Sequence, residues 1–247
     1  MLSFFRNKTP LIKEFPSNFI DIHSHLLPNI DDGSKSFEEA ANLIKRLYSY
    51  GIKNFVTTPH IMDGIWNNTP TIINNKLFEL TDYLKKQGIT DINMSAAAEY
   101  MLDSNFEKLL KSEKLLTIKD AYILVELSYL NPPINLKEIL FDIQIAGYTP
   151  ILAHPERYSF YHKNYNEYLK LKEAGCLFQL NLLSLSNYYG ADVNNIAKKL
   201  LQDNLIDFAG TDTHNNRHLN TLETINNSQI IKLIKPVLEN NAKLLKP

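Results

Sequence analysis

Residues 21–33 read DIHSHLLPNIDDG. The stretch leaves a short apolar run, FIDI, and carries two imidazoles one residue apart, His23 and His25, with a carboxylate pair, Asp31 and Asp32, in the loop that follows. Alternate residues of a strand point the same way, so His23 and His25 can grip one ion from one side. An H-x-H pair alone is weak evidence for metal. Its weight depends on what else the fold brings to the same place.

Six more apolar runs follow: GIKNFVTT, INMSAAA, AYILVEL, YTPILA, CLFQLN and IDFAGT. Most are bounded by turn signals and lack strict alternation, as expected of strands covered on both faces of a parallel sheet. The stretches between them have helical periodicity and readable ends. Ser36 and Glu39 have capping-box spacing before AANLIKRLYSY, which Gly51 closes. Thr69 and Pro70 open a helix ending at Gly88, Asn135 and Glu138 one that runs to Gly147, and Asn164 and Glu167 one that stops at Gly175. Residues 194–203 and 229–244 supply two more, and 103–112 a shorter one. Strands alternating with helices predict parallel βα units closing on themselves. With seven strands, the expected fold is α/β, a distorted (β/α)7 TIM-like barrel in a single domain.

Length and composition agree. A chain of 247 residues with 44% apolar content can bury one sizeable core, and no linker divides it. Residues 1–18, with Leu2, Phe4 and Phe5, read as an N-terminal extension, either docked or a loose tail, and residues 19–247 as the barrel. A net charge of −1, with charges scattered, leaves no basic footprint for nucleic acid. No segment approaches the roughly 20 apolar residues of a membrane helix. The one cysteine, Cys176, excludes an internal disulfide and suits a reducing, cytoplasmic setting.

The metal-capable side chains fall at strand ends. His23 and His25 follow the first strand, His60 the second in VTTPH, and Glu99 the third in AAAEY. Glu126 ends the fourth, His154 the fifth in ILAHPE, and Asp212 with His214 the seventh in AGTDTH. In a parallel barrel these ends share one mouth. A purely structural account of Glu126 would pair it with a Lys or Arg, since a buried carboxylate needs a partner. Extended to the whole set, that account needs five histidines and several carboxylates to reach one rim by accident.

Arg157 in HPERY and Arg217 in THNNR lie beside these residues, as do His162 and His218, whose bland reading is solvated loop histidines. The loop IMDGIWNN places Met62, Ile65 and Trp66 either against a bound substrate or back on the barrel, and Tyr129, Tyr158, Phe160 and Tyr161 share that ambiguity. A nucleophilic cysteine of the C-x5-R kind would need an arginine six residues on. Leu182 holds that place, and Cys176 opens an apolar strand as a small core residue would.

Taken together, DIHSHLLPNIDDGSKS, TTPH, AAEY, LAHPERY and TDTHN resemble the polymerase and histidinol phosphatase superfamily, and within it the bacterial manganese-dependent protein-tyrosine phosphatases of capsular and exopolysaccharide synthesis. The resemblance runs from about residue 19 to the last helix. It implies a seven-stranded barrel with three metal ions: His23, His25, Glu99 and Asp212 on the first, Glu99 bridging to a second completed by Glu126 and His154, and Asp32, His60 and His214 on the third. Asp31 is the alternative to Asp32. Mixed imidazole and carboxylate donors suit Mn, Fe or Zn better than Mg or Ca, and manganese is what the resemblance implies. Arg157 corresponds to a substrate-binding arginine; Arg217 matches more loosely because its loop is shorter.

The implied activity is hydrolysis of phosphotyrosine by metal-activated hydroxide, with a polysaccharide co-polymerase tyrosine kinase tail as the expected substrate. A phosphatase for a small metabolite such as histidinol phosphate would share the metal set and differ in loops. A nuclease lacks its basic groove here. A non-catalytic metal-binding scaffold would show a lost ligand, yet every expected position is filled. Oligomeric state is not legible.

Overall fold

Short parallel strands need only cross the wall of a barrel, and those of this chain do little more. The computed structural model describes residues 9–244; Leu2, Phe4 and Phe5 lie outside the described residues. In chain order the elements are β1 (Ile20–Asp21), α1 (Phe37–Ser49), β2 (Asn54–Thr57), β3 (His60–Ile61), α2 (Pro70–Lys86), β4 (Asn93–Ala96), β5 (Glu99–Met101), α3 (Ser104–Ser112), β6 (Tyr122–Glu126), α4 (Leu136–Ile145), β7 (Thr149–Ala153), α5 (Ser159–His162), α6 (Asn166–Glu173), β8 (Leu177–Asn181), α7 (Ala191–Gln202), β9 (Phe208–Gly210), α8 (Asn216–Glu223) and α9 (Ser228–Lys243). Each strand pairing is parallel.

Two of the seven expected strands, GIKNFVTT and INMSAAA, end one or two residues early, and a second short strand follows each. GIKNFVTTPH forms β2 and β3, and INMSAAAEY forms β4 and β5, so the strands fall into a sheet ordered β1-β2-β4 and another ordered β3-β5-β6-β7-β8-β9. Pro59 supplies the reason on the first stave, because a residue without an N–H interrupts the ladder. Backbone bonds carry the wall across both breaks: Thr58 N donates to Ser24 O at 2.8 Å, Ala97 N to Thr57 O at 2.9 Å and Glu99 N to Pro59 O at 3.0 Å.

First and last staves also meet. Asp212 N donates to His23 O at 2.7 Å and His25 N to Thr213 O at 3.0 Å, with a parallel bridge between Ser24 and Thr213. Below them the Asp21 carboxylate accepts from Thr211 N at 2.9 Å and Thr211 Oγ1 at 2.6 Å. The Asn241 amide donates to both Ile20 O at 2.9 Å and Ala209 O at 2.6 Å. Seven staves thus form a closed ring among the described residues.

Strand residues alternate between two apolar layers. Ile20, Ile22, Val56, Leu124, Ile151 and Phe208 fill the lumen; Phe55, Ile123, Val125, Leu152, Phe178 and Leu180 face the helices. Each such buried side chain contributes about 2 kcal/mol. Ser36 caps α1 by accepting from Glu39 N, and Thr69 caps α2 by accepting from Ile72 N. Asn164 does not cap α6. That helix starts two residues later, and the Asn164 amide instead donates to Glu167. The described part of the extension is docked: Leu11 is buried and donates to Ile225 O at 2.7 Å, and Glu14 pairs with Lys235 at 2.6 Å.

Candidate metal centre

The strand ends deliver their polar residues to one rim. β1 leads into His23 and His25, β3 opens on His60, β5 on Glu99, and β6 ends on Glu126. Beyond β7 and β9 the chain takes the left-handed backbone conformation, at His154 (φ 35°) and Asp212 (φ 49°). Side chains with a Cβ adopt it at a cost of about 1 kcal/mol or more, and such residues cluster at functional sites. Two glycines make room: a Cβ on Gly33 would lie 2.2 Å from His25 O, and one on Gly210 2.5 Å from His23 Cβ.

Donor atoms within a 4.8 Å span form four overlapping groups: His23, His25 and Glu99; His23, His154 and Asp212; His60, Glu99 and Glu126; and His25, Asp32, His60 and His214. All nine sequence-proposed metal residues are therefore gathered. Their grouping differs from that implied by resemblance at three points: Glu126 groups with His60 and Glu99 without His154, Asp212 groups with His23 and His154, and His25 joins the group of Asp32, His60 and His214. Glu126 Oε1 lies 2.8 Å from His60 Nδ1, while His154 Nε2 meets Glu99 Oε1 at 3.0 Å. The adjacent aspartates also separate. Asp31 is buried and turned to His25 Nδ1 at 2.8 Å, whereas Asp32 Oδ1 faces His60 Nε2 at 3.4 Å and His214 Nε2 at 3.3 Å.

The surrounding acceptors set the tautomers. His23 Nδ1 donates to Gln179 Oε1 at 2.6 Å, His25 Nδ1 to Asp31, and His214 Nδ1 to Asp212 O at 2.9 Å. Each neutral ring then has its lone pair on Nε2. Yet His23 Nε2 and His25 Nε2 face each other at 3.3 Å, and both lie 3.3 Å from Asp212 Oδ1. Glu99 Oε2 has His60, His23 and His25 nitrogens at 3.1, 3.2 and 3.4 Å and accepts a hydrogen bond from none. Lone pairs converging on lone pairs repel unless positive charge lies among them. Divalent cations fit this donor set, with nitrogen donors oriented from behind by a carboxylate, an amide and a carbonyl.

Acid–base behaviour points the same way. Burial opposes ionisation of Glu99, but the His23 and His60 rings outweigh it and hold the carboxyl well below its ordinary range. Burial and then the Glu99 charge push Glu126 upward. Burial would lower His25 and His60, yet the carboxylates around them, chiefly Asp31 and Glu99, hold both well above the usual imidazole value. His154 is the exception: burial and then Arg157 push it down to about 4, so its ring stays neutral. Carboxylates held ionised at Glu99 and Asp212 beside imidazoles that hold protons at His25 and His60 mark a site short of cations.

Above the cage lies a cavity of about 490 Å³ whose walls include Met62, Ile65, Trp66, Tyr129, Tyr188 and Tyr189. Residues 62–66 form a tight hairpin, with Met62 and Trp66 bonded in both directions at 3.0 and 2.9 Å. Of the rim aromatics, Tyr129 faces the cavity and stacks on His154 at 5.9 Å. Tyr158 is fully buried, its hydroxyl accepting from Leu127 N, and Tyr161 packs in the core with Phe160 against it. Arg157 lines the cavity, its side chain 20% exposed, with Nη1 3.1 Å from Asp212 Oδ2. Arg217 is exposed in the first turn of α8, with its guanidinium over Tyr188.

His162 Nε2 donates to Glu156 O, outside the cavity walls. His218 is buried rather than solvated, with Nδ1 at 3.0 Å from Asp212 O. Sequence reading passed over Gln179, Asn181, Tyr188 and Tyr189. Gln179 and Asn181 had a signal, two polar residues at strand spacing inside an apolar run; the tyrosines had none.

A closed parallel barrel carrying an imidazole–carboxylate cage at its C-terminal rim defines the class, that of TIM-like metallohydrolases. An amidohydrolase from Mycoplasma synoviae shares the fold at TM-score 0.55 and 12% identity, covering 96% of this chain and 89% of that one. Residues 19–230 match the family model "Capsular polysaccharide synthesis, CpsB/CapC", and the chain belongs to that family. It is 30% identical over 209 residues to the tyrosine-protein phosphatase YwqE of Bacillus subtilis, covering 83% of this chain and 82% of the relative. It is 31% identical over 204 residues to the tyrosine-protein phosphatase CpsB of Streptococcus pneumoniae, covering 79% and 83%. A crystal structure from work on YwqE and CpsB, described as unique metal-dependent tyrosine phosphatases, superposes with TM-score 0.78 at 28% identity over 92% of this chain and 94% of that one.

Proposed function

We propose that this protein is a metal-dependent protein-tyrosine phosphatase of capsular polysaccharide synthesis. The observation that carries the reading is the cage itself, five imidazoles and four carboxylates whose lone pairs converge beneath a cavity walled by aromatic rings. His23, His25, Asp32, His60, Glu99, Glu126, His154, Asp212 and His214 are the proposed ligands, of manganese in the first instance and of three ions by resemblance. Bound cations would neutralise phosphate charge and bring the pKa of water to about 7.

The chain's own groups do the rest. Arg157 presents a guanidinium matched to two phosphate oxygens, and Arg217 offers a second from the rim. Tyr129 and the 62–66 hairpin enclose the aryl ring and exclude water from one side. A phenol leaving group, with a pKa near 10, departs with less need of a proton donor than an alkyl alcohol does. No helix among the described residues is long and apolar enough to cross a membrane. A tyrosine-rich tail of a membrane-bound polysaccharide co-polymerase kinase, met at the cytoplasmic face, is the proposed substrate.

The test is metal-stripped protein reloaded with Mn, Fe or Zn and offered phosphotyrosyl peptide, histidinol phosphate and single-stranded DNA. Turnover of the peptide, greatest with Mn, is expected. Turnover of histidinol phosphate alone would reassign the substrate, and silence on all three would leave a regulatory scaffold.

A further inference from the structure

We propose that Tyr188 and Tyr189 act as one positioning unit for both phosphate-binding arginines. The inference rests on the phosphatase reading only in taking phosphate as the ligand. Arg157 Cζ lies 4.2 Å from the Tyr189 ring centroid and 4.9 Å from that of Tyr129. Arg217 Cζ lies 5.2 Å from the centroid of Tyr188. The two rings meet edge to face, 4.9 Å apart at 89°. Neighbouring residues of one loop thus each hold one guanidinium.

A circuit of contacts ties Tyr189 to Arg157 and the cage. Arg157 Nη1 donates to Asp212 Oδ2 at 3.1 Å; Asn181 Nδ2 donates to that same oxygen at 2.6 Å and to Tyr189 Oη at 3.2 Å. The ion pair by itself leaves the guanidinium free to swing about one bond. A ring against its face removes that freedom and turns the remaining N–H groups toward the cavity. Arg217 has no carboxylate partner among the described residues, so Tyr188 is its principal restraint. The loop is itself held: Tyr188 N donates to Ser186 Oγ at 3.1 Å and Gly190 N to Asn187 O at 3.1 Å, with Gly190 at φ +97°. Restraining both arginines before phosphate arrives reduces the ordering cost of binding it.

The experiment uses the full chain reloaded with Mn, with inorganic phosphate binding followed by calorimetry beside metal content, thermal midpoint and kcat and KM on a phosphotyrosyl peptide. Tyr189→Leu should weaken phosphate about tenfold and raise KM more than it lowers kcat, with metal content unchanged. Tyr189→Phe, which keeps the ring, should recover most of the loss. In an Arg157→Ala background Tyr189→Leu should add nothing. Tyr188→Leu with Arg217→Ala forms the matching cycle. If Tyr189→Leu does not fold, Tyr189→Met, which fills similar space without an aromatic face, carries the same expectation.

Unchanged phosphate affinity in Tyr189→Leu, an equal loss with and without Arg157, or a wild-type chain that binds no phosphate would each overturn the proposal. Phosphate binding without peptide turnover would instead count against the phosphatase reading and leave the cycles to decide the positioning role.

Discussion

Glu99 stands where four imidazoles approach, three of them directed at an oxygen that accepts no hydrogen bond. Replacing it by alanine removes the carboxylate common to two donor groups. Glu99→Ala should lose metal and turnover together, as read by elemental analysis and a peptide assay; retained turnover would remove its proposed bridging role. Gly210 matters for a different reason, because a methyl there would press within 2.5 Å of His23 Cβ and 2.8 Å of Gln179 Nε2. Gly210→Ala should destabilise the fold by about 1–3 kcal/mol and weaken metal binding, visible as a lower thermal midpoint and a shifted Mn titration. Cys176 is buried in the core, and burial pushes its thiol up to about 12. There is then almost no thiolate at pH 8, so N-ethylmaleimide should leave turnover intact. Inactivation through this residue would contradict a metal-based mechanism.

Among the elements, the 62–66 hairpin is the one whose role sequence left open. Its backbone is bonded to itself, and Ile65 remains 64% exposed at the cavity mouth. An apolar side chain in that position has no core to serve, and a substrate contact is the role we propose for it. Trp66→Ala should raise KM for phosphotyrosyl peptide several-fold, an aromatic contact being worth about 1 kcal/mol, without changing inhibition by inorganic phosphate. Equal loss for both would put Trp66 in the phosphate site or in the fold. Helix starts were readable where a side chain caps the backbone locally, as at Ser36 and Thr69. They were misplaced at Asn164, whose amide found a side-chain partner instead. The breaks at 58–59 and 97–98 were missed because apolar runs show burial, whereas hydrogen-bond register depends on the neighbouring strand.

For the whole molecule, the cage spans residues 23 to 214 and so fastens the first stave to the last. Cations binding only the folded chain add to its stability, by about 2.7 kcal/mol for a site at a hundred times its Kd. In a chain of this size that corresponds to about 5–10 °C. Chelation should therefore lower the thermal midpoint by several degrees and abolish turnover, with both restored by Mn; an unaffected midpoint would show that the cage holds no structural load.

Sequence by itself determined the class of fold and which metal-capable side chains reach one rim, though not the tyrosines and amides that surround them. Apolar runs separated by capped helices admit few arrangements, and a parallel barrel sends every strand end to one mouth, so residues far apart in the chain were already assigned a common rim. Which atoms meet within that rim was a tertiary matter. Asp31 and Asp32 are neighbours of the same type, and only the turn at Gly33 aims one at His25 and the other at His60 and His214. Glu126 faces His60, and Tyr188 and Tyr189 reach two arginines, because side-chain direction depends on local φ and ψ and on what packs behind it. That information exists only once the staves are closed.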